Sequence, residues 1–290
     1  MSNPLHAPFY ADRAVQAKVT IQANDPIARN TFRLRFACPS MAARFLPGQF
    51  LMLRLSDFDD PLIGRPLALY DTVLDDAGAP VAVEVVYLVG GKMTRRLADL
   101  QVGQRIDVWG PLGNGFDPRA AEQLIMVAGG IGYTPFPAVA REALGGRRYG
   151  APSRSGAQAA RVTMCYGARS ADLLAGVDLF QEIGVDVRVA TDDGTEGHHG
   201  LVTDLLQAAL AESSTSRRIV CCGPERMMEA VADVAERANV ACQVSLETPM
   251  ACGVGVCFSC VAKVRDDDGQ WDYKRTCVEG PVFDAGSIVW

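Results

Sequence analysis

At 290 residues, with 49% hydrophobic and 21% charged positions, the chain is long for one domain and ample for two, each with its own core. A net charge of −6 without a basic block excludes a nucleic-acid surface. Residues 1–13 lack the basic start and apolar run of a secretory signal. The most apolar stretch, 124–140, is broken by Gly129, Gly130, Gly132, Pro135 and Pro137, which excludes a membrane span there.

The first third reads as β structure. Residues 18–22, 31–36, 49–55, 67–70, 81–88 and 105–109 are short runs rich in apolar and β-branched side chains. Turn formers separate them, among them Asn24-Asp25-Pro26, Pro47-Gly48 and Asp75-Asp76-Ala77-Gly78. Six strands at this spacing predict a small antiparallel barrel or sandwich. The Gly- and Pro-dense segment from Gly110 to Phe116 ends it, so a first domain is expected over 12–118.

From Gln123 the rhythm becomes strand then helix. Buried strands are predicted at 124–128, 161–166, 185–190, 218–222 and 242–246, with helices near 135–144, 171–180, 201–210 and 225–238. This pattern predicts an α/β domain with a parallel sheet over 119–246. Thr134-Pro135 reads as a helix start with Thr as the cap. Residues 145–160, rich in Gly, Ser and Arg, read as a mobile surface insertion. Residues 247–290 are too few for a core of their own and need a staple. The expected fold class is therefore β + α/β: an antiparallel β-barrel, a nucleotide-binding domain with a parallel sheet, and a small C-terminal cysteine domain.

Four of the nine cysteines fall in the last forty residues. Without an export signal, clustered thiols point to a reducing, cytoplasmic compartment and to metal rather than disulfides. Cys252, Cys257, Cys260 and Cys277 follow C-x4-C-x2-C with a distant fourth cysteine, the plant-type [2Fe–2S] spacing. Three thiolates on one tight loop converge on the cluster, and the fourth closes the cage. Gly253 and Gly255 suit a loop that takes unusual backbone angles and turns N–H groups toward sulfur. Structural zinc is the alternative, although zinc favours paired C-x2-C knuckles and only Cys257 and Cys260 form one. Cys38, Cys165, Cys221 and Cys242 read as small core residues.

A second motif, Gly129-Gly130-Ile131-Gly132-Tyr133-Thr134-Pro135, joins a strand to a helix. Glycines let the backbone approach a pyrophosphate, and free N–H groups at a helix start attract its charge. Pro135 stands where G-x-G-x-x-G would have its last glycine, so a merely tight turn is the competing reading. Cys222-Gly223-Pro224, Gly167-Ala168-Arg169-Ser170 and Asp192-Asp193-Gly194 end later strands, where ligands of open α/β sheets bind.

Arg65-Pro66-Leu67-Ala68-Leu69-Tyr70, the Gly-Gly-Ile-Gly-Tyr-Thr-Pro loop and Cys222-Gly223-Pro224 occur in an order that resembles the ferredoxin–NADP⁺ reductase superfamily. With the cysteine motif and Cys277-Val278-Glu279-Gly280-Pro281-Val282-Phe283, residues 17–283 look like the electron-transfer subunits of two-subunit, NAD-dependent bacterial dihydroorotate dehydrogenases. The resemblance implies FAD in the barrel, NAD(H) in the α/β domain and a [2Fe–2S] cluster at the C-terminal end. It also implies an FMN-containing catalytic partner in a hetero-oligomer of two copies of each chain. Arg65 would meet the FAD pyrophosphate or isoalloxazine edge. Pro66, Leu67, Ala68 and Leu69 would line the flavin, and Tyr87, Leu88 and the Met93-Thr94 turn would complete its pocket. Gly129, Gly130, Gly132 and Thr134 would approach the nicotinamide nucleotide, with Cys222, Gly223 and Pro224 near its ring.

Two departures stand out. Ala68 replaces the serine of the usual Arg-Pro-x-Ser, and Met93 replaces the glycine of the usual Gly-Thr turn, which bears on flavin affinity and potential. Nicotinamide gives hydride, clusters take single electrons, and flavin does both, so no side chain need act as acid or base and no catalytic residue is assigned. Val256 and Phe258, apolar residues on the cysteine loop, are candidates for contact with a second redox protein. The rival readings are a subunit of a hydrogenase, a transhydrogenase or an oxygenase reductase, and a zinc-stapled binding protein.

Overall fold

The computed structural model describes residues 11–56, 60–119, 121–154, 156, 158–212 and 216–290. Six antiparallel strands close into a barrel in the order β1-β2-β5-β4-β3-β6. They are β1 (Val15–Ala28), β2 (Thr31–Ala37), β3 (Phe50–Leu55), β4 (Arg65–Leu74), β5 (Pro80–Leu88) and β6 (Arg105–Leu112). Every second residue points inward. Val19 and Ile21, Leu34 and Phe36, Leu51 and Leu53, and Val83, Val85 and Tyr87 are buried in one core. Each such side chain contributes about 1.5–3 kcal/mol on burial, so this alternation holds the barrel together. Helix α1 (Pro39–Ala42) adds Met41, and α2 (Lys92–Ala98) adds Met93 and Leu97.

The expected turn at Asn24-Asp25-Pro26 lies instead within β1. Asn24 pairs with Leu34, Asp25 with Arg33 and Pro26 with Phe32, between two register shifts. Proline is tolerated in a strand beside such irregularities. The Asn24 amide donates to the carbonyls of Leu97 and Leu100, tying β1 to the end of α2.

The α/β domain is a seven-stranded sheet, ordered β10-β9-β8-β7-β11-β12-β15. Its parallel strands are β7 (Gln123–Gly129), β8 (Arg161–Ala168), β9 (Asp186–Thr191), β10 (His198–His199), β11 (Arg217–Cys222) and β12 (Ala241–Ser245). All seven residues of β7 are buried, as a central parallel strand covered on both faces requires. Leu124, Met126 and Ala128 pack with α3 (Phe136–Ala143) and α4 (Val177–Ile183). Ile125 and Val127 pack with α5 (Val202–Ala211) and α6 (Glu225–Arg237) on the opposite face. The single helix expected over 171–180 is split: a 3-10 turn at Ala171–Leu173 precedes α4.

Two further expectations are corrected. Thr134 does not cap α3. Its N–H bonds Ile131 O and closes a 3-10 turn, and Pro135 occupies the cap position without a side-chain bond. The segment 145–160 is not loose among its described residues. Arg147 and the Tyr149 hydroxyl each donate to Asp71 Oδ1 at 2.8 Å. Arg154 clamps Glu142 and the Phe116 carbonyl. Arg141 Nε lies 2.9 Å from Asp71 Oδ2, an ion-pair contact without the alignment of a hydrogen bond. Asp71 belongs to β4, so this segment laces the α/β domain to the barrel.

The cysteine segment contributes hairpin β13 (Val261–Arg265) and β14 (Trp271–Arg275), then β15 (Val282–Asp284). Strand β15 pairs antiparallel with β12 and becomes the sheet edge. The loop before the hairpin and the residues just after it pack on the barrel: Met250, Cys260, Cys277 and Val278 share a core with Phe50, Met52 and Leu112. The small unit borrows its core from its neighbours. Among the described residues no helix is long and apolar enough to cross a membrane.

Candidate functional site

The four motif cysteines come together as two pairs. Cys257 lies beside Cys252, and Cys260 beside Cys277. Among the described residues no three His, Cys, Asp or Glu side chains converge as one ion would need. Two neighbouring pairs of cysteines suit two irons with two ligands each. Cys257 is pulled down to about 6, first by the Ser259 hydroxyl, 3.2 Å from its sulfur. Cys260 falls to about 6 because the Cys277 thiol donates to it, while Cys277 is pushed up by that same bond and by burial. Each pair therefore offers a thiolate readily.

The cage is held at its carbonyls. Trp109 Nε1 donates to Cys252 O at 2.9 Å, Arg275 Nη1 to Gly255 O at 3.0 Å, and Thr276 N to Cys260 O at 2.8 Å. Gly253 and Gly255 have φ of +74° and +78°, the left-handed region expected of them. The Val254 N–H points to Cys252 Sγ at 3.4 Å. Sequence reasoning missed Trp109, Arg275 and Thr276. Trp109 lies 143 residues from its acceptor, and no local pattern could have announced it.

The flavin candidates gather where β4 begins, β5 ends and α2 starts. Arg65 is exposed, and Pro66, Leu67 and Ala68 are half-buried. The Arg65 guanidinium donates only to the carbonyls of Ile63 and Gly64 among the described residues, leaving donors for an anion. Leu88 is exposed at the end of β5. Thr94 Oγ accepts the N–H groups of Gly90 and Gly91, both at 3.1 Å, and shapes the turn into α2. Leu69, Tyr87 and Met93 were expected in this pocket, but their side chains sit in the barrel core. The Tyr87 hydroxyl is spent on Asn24 Oδ1, and its ring stacks on Phe32. Met93 fills core space behind the turn.

At the nucleotide turn the glycines divide their work. A Cβ on Gly132 would stand 2.2 Å from Cys222 O, and one on Gly129 would stand 2.8 Å from Pro224 Cδ. These two let the end of β7 and the turn after it lie against the end of β11 and the start of α6, so Gly132 faces protein rather than open space. Gly130, with φ +53° and nothing within 4 Å of a Cβ, is the one facing free volume. Thr134 is buried. Cys222 is half-buried with its thiol pushed up to about 12, chiefly by burial and then by Glu247, so it stays neutral. The Tyr133 ring wedges between Tyr70 of β4 and Tyr166 of β8, with centroids 6.1 and 5.3 Å away, joining turn and barrel.

Three family profiles match in the same order as these sites. An oxidoreductase FAD-binding domain covers residues 18–116, an oxidoreductase NAD-binding domain 126–233, and the iron–sulfur cluster binding domain of dihydroorotate dehydrogenase B 247–289. The electron transfer subunit of dihydroorotate dehydrogenase B (NAD(+)) from Desulforamulus reducens is 34% identical, covering 91% of this chain and 94% of that protein. Its counterpart from Bacillus velezensis is 33% identical, covering 94% and 98%. Among solved structures, the NADH-dependent reduced ferredoxin–NADP oxidoreductase matches with TM-score 0.77 and 30% identity over 94% of this chain and 90% of that one. Phthalate dioxygenase reductase shares the fold alone, with TM-score 0.58 and 18% identity. The chain is thus an oxidoreductase component with FAD-, NAD- and iron–sulfur-binding domains, and it belongs to the family of electron transfer subunits of dihydroorotate dehydrogenase B.

Proposed function

We propose that this chain moves electrons between NAD(H) and an FMN-containing dihydroorotate dehydrogenase chain of pyrimidine biosynthesis, in a cytoplasmic assembly of two copies of each. Bound FAD would exchange hydride with the nicotinamide, and a [2Fe–2S] cluster would carry electrons one at a time. Three units at 12–118, 119–246 and 247–290 would divide this work. Arg65 would neutralise the FAD phosphates, with Pro66, Leu67, Ala68, Leu88 and the Thr94 turn along the flavin. Gly130 would admit the nucleotide beside Cys222, Gly223 and Pro224, and Cys252, Cys257, Cys260 and Cys277 would hold the cluster.

One observation carries this reading. Gly253 of the cysteine loop rests on Met52, where a Cβ would come within 2.6 Å of Met52 Cγ, and Met52 is the cross-strand partner of Pro66. Neighbouring strands lie about 4.8 Å apart, so a single strand, β3, stands between the cluster loop and the flavin segment. On the far side of the loop Val256 and Phe258 are 69% and 62% exposed, beside exposed Cys257. An apolar surface beside an outward-facing ligand is what a docking redox partner requires.

The test is to purify the chain with its cofactors and assay it alone. NADH should reduce an artificial acceptor, whereas dihydroorotate with NAD⁺ should give turnover only after an FMN-containing dihydroorotate dehydrogenase chain is added. Turnover of dihydroorotate without that chain would refute the proposal. A second reading, service to a transhydrogenase, is favoured by the likeness to the ferredoxin–NADP oxidoreductase. NADH oxidation that is intact but never coupled to dihydroorotate would select it.

A further inference from the structure

Arg275 ends β14 two residues before Cys277, and its side chain turns back toward the other three cysteines. It makes four contacts that no cysteine spacing requires. Nη1 donates to Gly255 O at 3.0 Å, within the loop joining Cys252 to Cys257. Nε lies 3.3 Å from Glu279 Oε2, and the same carboxylate oxygen accepts the Arg275 backbone N–H at 2.7 Å. The guanidinium also stands 5.0 Å from the Phe258 ring centroid, one residue beyond Cys257. Phe258 adopts φ +57°, a left-handed conformation unfavourable for a non-glycine residue. The cation–π contact with Arg275 offsets part of that cost.

The pair is also electrostatically placed. Arg275 and Glu279 side chains are only 17% and 25% exposed, so water screens them less than a surface pair. The backbone from 275 to 279 wraps Cys277: Val278 N and Glu279 N both donate to Arg275 O. A cluster that gains an electron gains negative charge. A nearby cation therefore favours its reduced form, and a nearby carboxylate disfavours it.

We propose that Arg275 and Glu279 are positioning residues for the electron-transfer step, an ion-paired clasp that fixes the Gly255–Phe258 arm of the cluster loop and sets the potential at which the cluster accepts its electron. Arg275 raises that potential and Glu279 lowers it, so their pairing leaves the site trimmed between two extremes. The proposal rests on the cluster assignment above, and iron and acid-labile sulfide analysis of the anaerobically purified wild-type chain tests that assignment separately.

The experiment is redox titration of Arg275→Gln, Arg275→Lys and Glu279→Gln proteins, followed by electron paramagnetic resonance of the reduced cluster. Arg275→Gln should shift the equilibrium against cluster reduction on the order of tenfold, about 59 mV for one electron. That is the scale on which one charge acts within several ångströms in partly solvated protein. Glu279→Gln should shift it the opposite way. Arg275→Lys keeps the charge but cannot span Glu279, Gly255 O and the Phe258 ring together. Its potential should stay near wild type, while iron is lost to a chelator several-fold faster. Shifts of the same sign in both glutamine variants, or no shift in Glu279→Gln with the cluster intact, would overturn the proposal. Should Arg275→Gln fail to retain its cluster, the Arg275→Lys and Glu279→Gln results decide alone.

Discussion

Alanine at Gly132 and at Gly130 should have different consequences, although the two glycines are two residues apart on one turn. The Gly132 Cβ would meet Cys222 O at 2.2 Å, Cys222 C at 2.5 Å and Gly223 Cα at 2.8 Å, all backbone atoms. Reaching ordinary contact requires the turn after β7 and the end of β11 to part by more than about 1 Å, since carbon contacts settle near 3.5–4.0 Å. No rotamer change can relieve a backbone clash, so Gly132→Ala should cost about 2–3 kcal/mol, the upper part of the range for overpacking. Gly130→Ala meets nothing and pays only for its positive φ, about 1–2 kcal/mol. Urea denaturation of each variant measures the stability change, and NADH oxidation with an artificial acceptor measures the KM. Gly132→Ala should lower the midpoint more and raise the KM for NADH by displacing the turn. Gly130→Ala should raise the KM with the smaller stability loss. A Gly132→Ala protein as stable as wild type, with an unchanged KM, would refute the claim that this turn is set by contact with β11.

Further outcomes follow from other contacts. Asp71→Asn removes the charge shared by Arg141 and Arg147 and should destabilise by about 2–3 kcal/mol, less than a fully buried pair because Arg141 is 30% exposed. An unchanged thermal midpoint would show that the 145–160 segment does not lace the domains. Arg65→Ala should weaken FAD binding by about 1.5–3 kcal/mol, read as flavin loss on dilution. Equal retention in mutant and wild type would move the phosphates elsewhere. Cys257→Ser should abolish the iron–sulfur absorbance while flavin stays bound, because Cys257 is exposed on the cysteine loop, a different segment from the flavin candidates on β4. Loss of both cofactors from a folded protein would contradict that separation.

What the sequence disclosed was what is local. The unbroken apolar run of β7 announces a central strand, and alternation such as Lys18-Val19-Thr20-Ile21 announces a barrel wall. C-x4-C-x2-C is legible because three ligands share one loop. Contacts between distant segments were not legible. Tyr149 and Arg147 sit in a Gly- and Ser-rich stretch that looks loose until Asp71, more than seventy residues earlier, is seen to bind both. Met93 and Tyr87 were placed in a ligand pocket because the motif holds them, but strand and helix geometry turns their side chains into the core. Asn24-Asp25-Pro26 has turn composition, yet the pairing of β1 with β2 overrides it. Strand β15 escaped notice because three residues carry too little pattern to read.

The strand order also bears on how the molecule avoids its own copies. A barrel closed on itself has no free rim, and the large sheet ends in β10, two residues long, and β15, three residues long. Such stubs present few unpaired peptide groups of their own, which limits the template on which another chain would grow a sheet. Open borders remain among the described strands at residues 186–189 of β9, where Asp186 and Arg188 stand, and at hairpin β13–β14, where Asp272 and Lys274 alternate with aromatic side chains. Charges along a border discourage edge-to-edge pairing while leaving Trp271 and Tyr273 in solvent. Concentrated preparations should accordingly resist fibrous aggregation, and what association they show should run through side chains rather than shared backbone ladders.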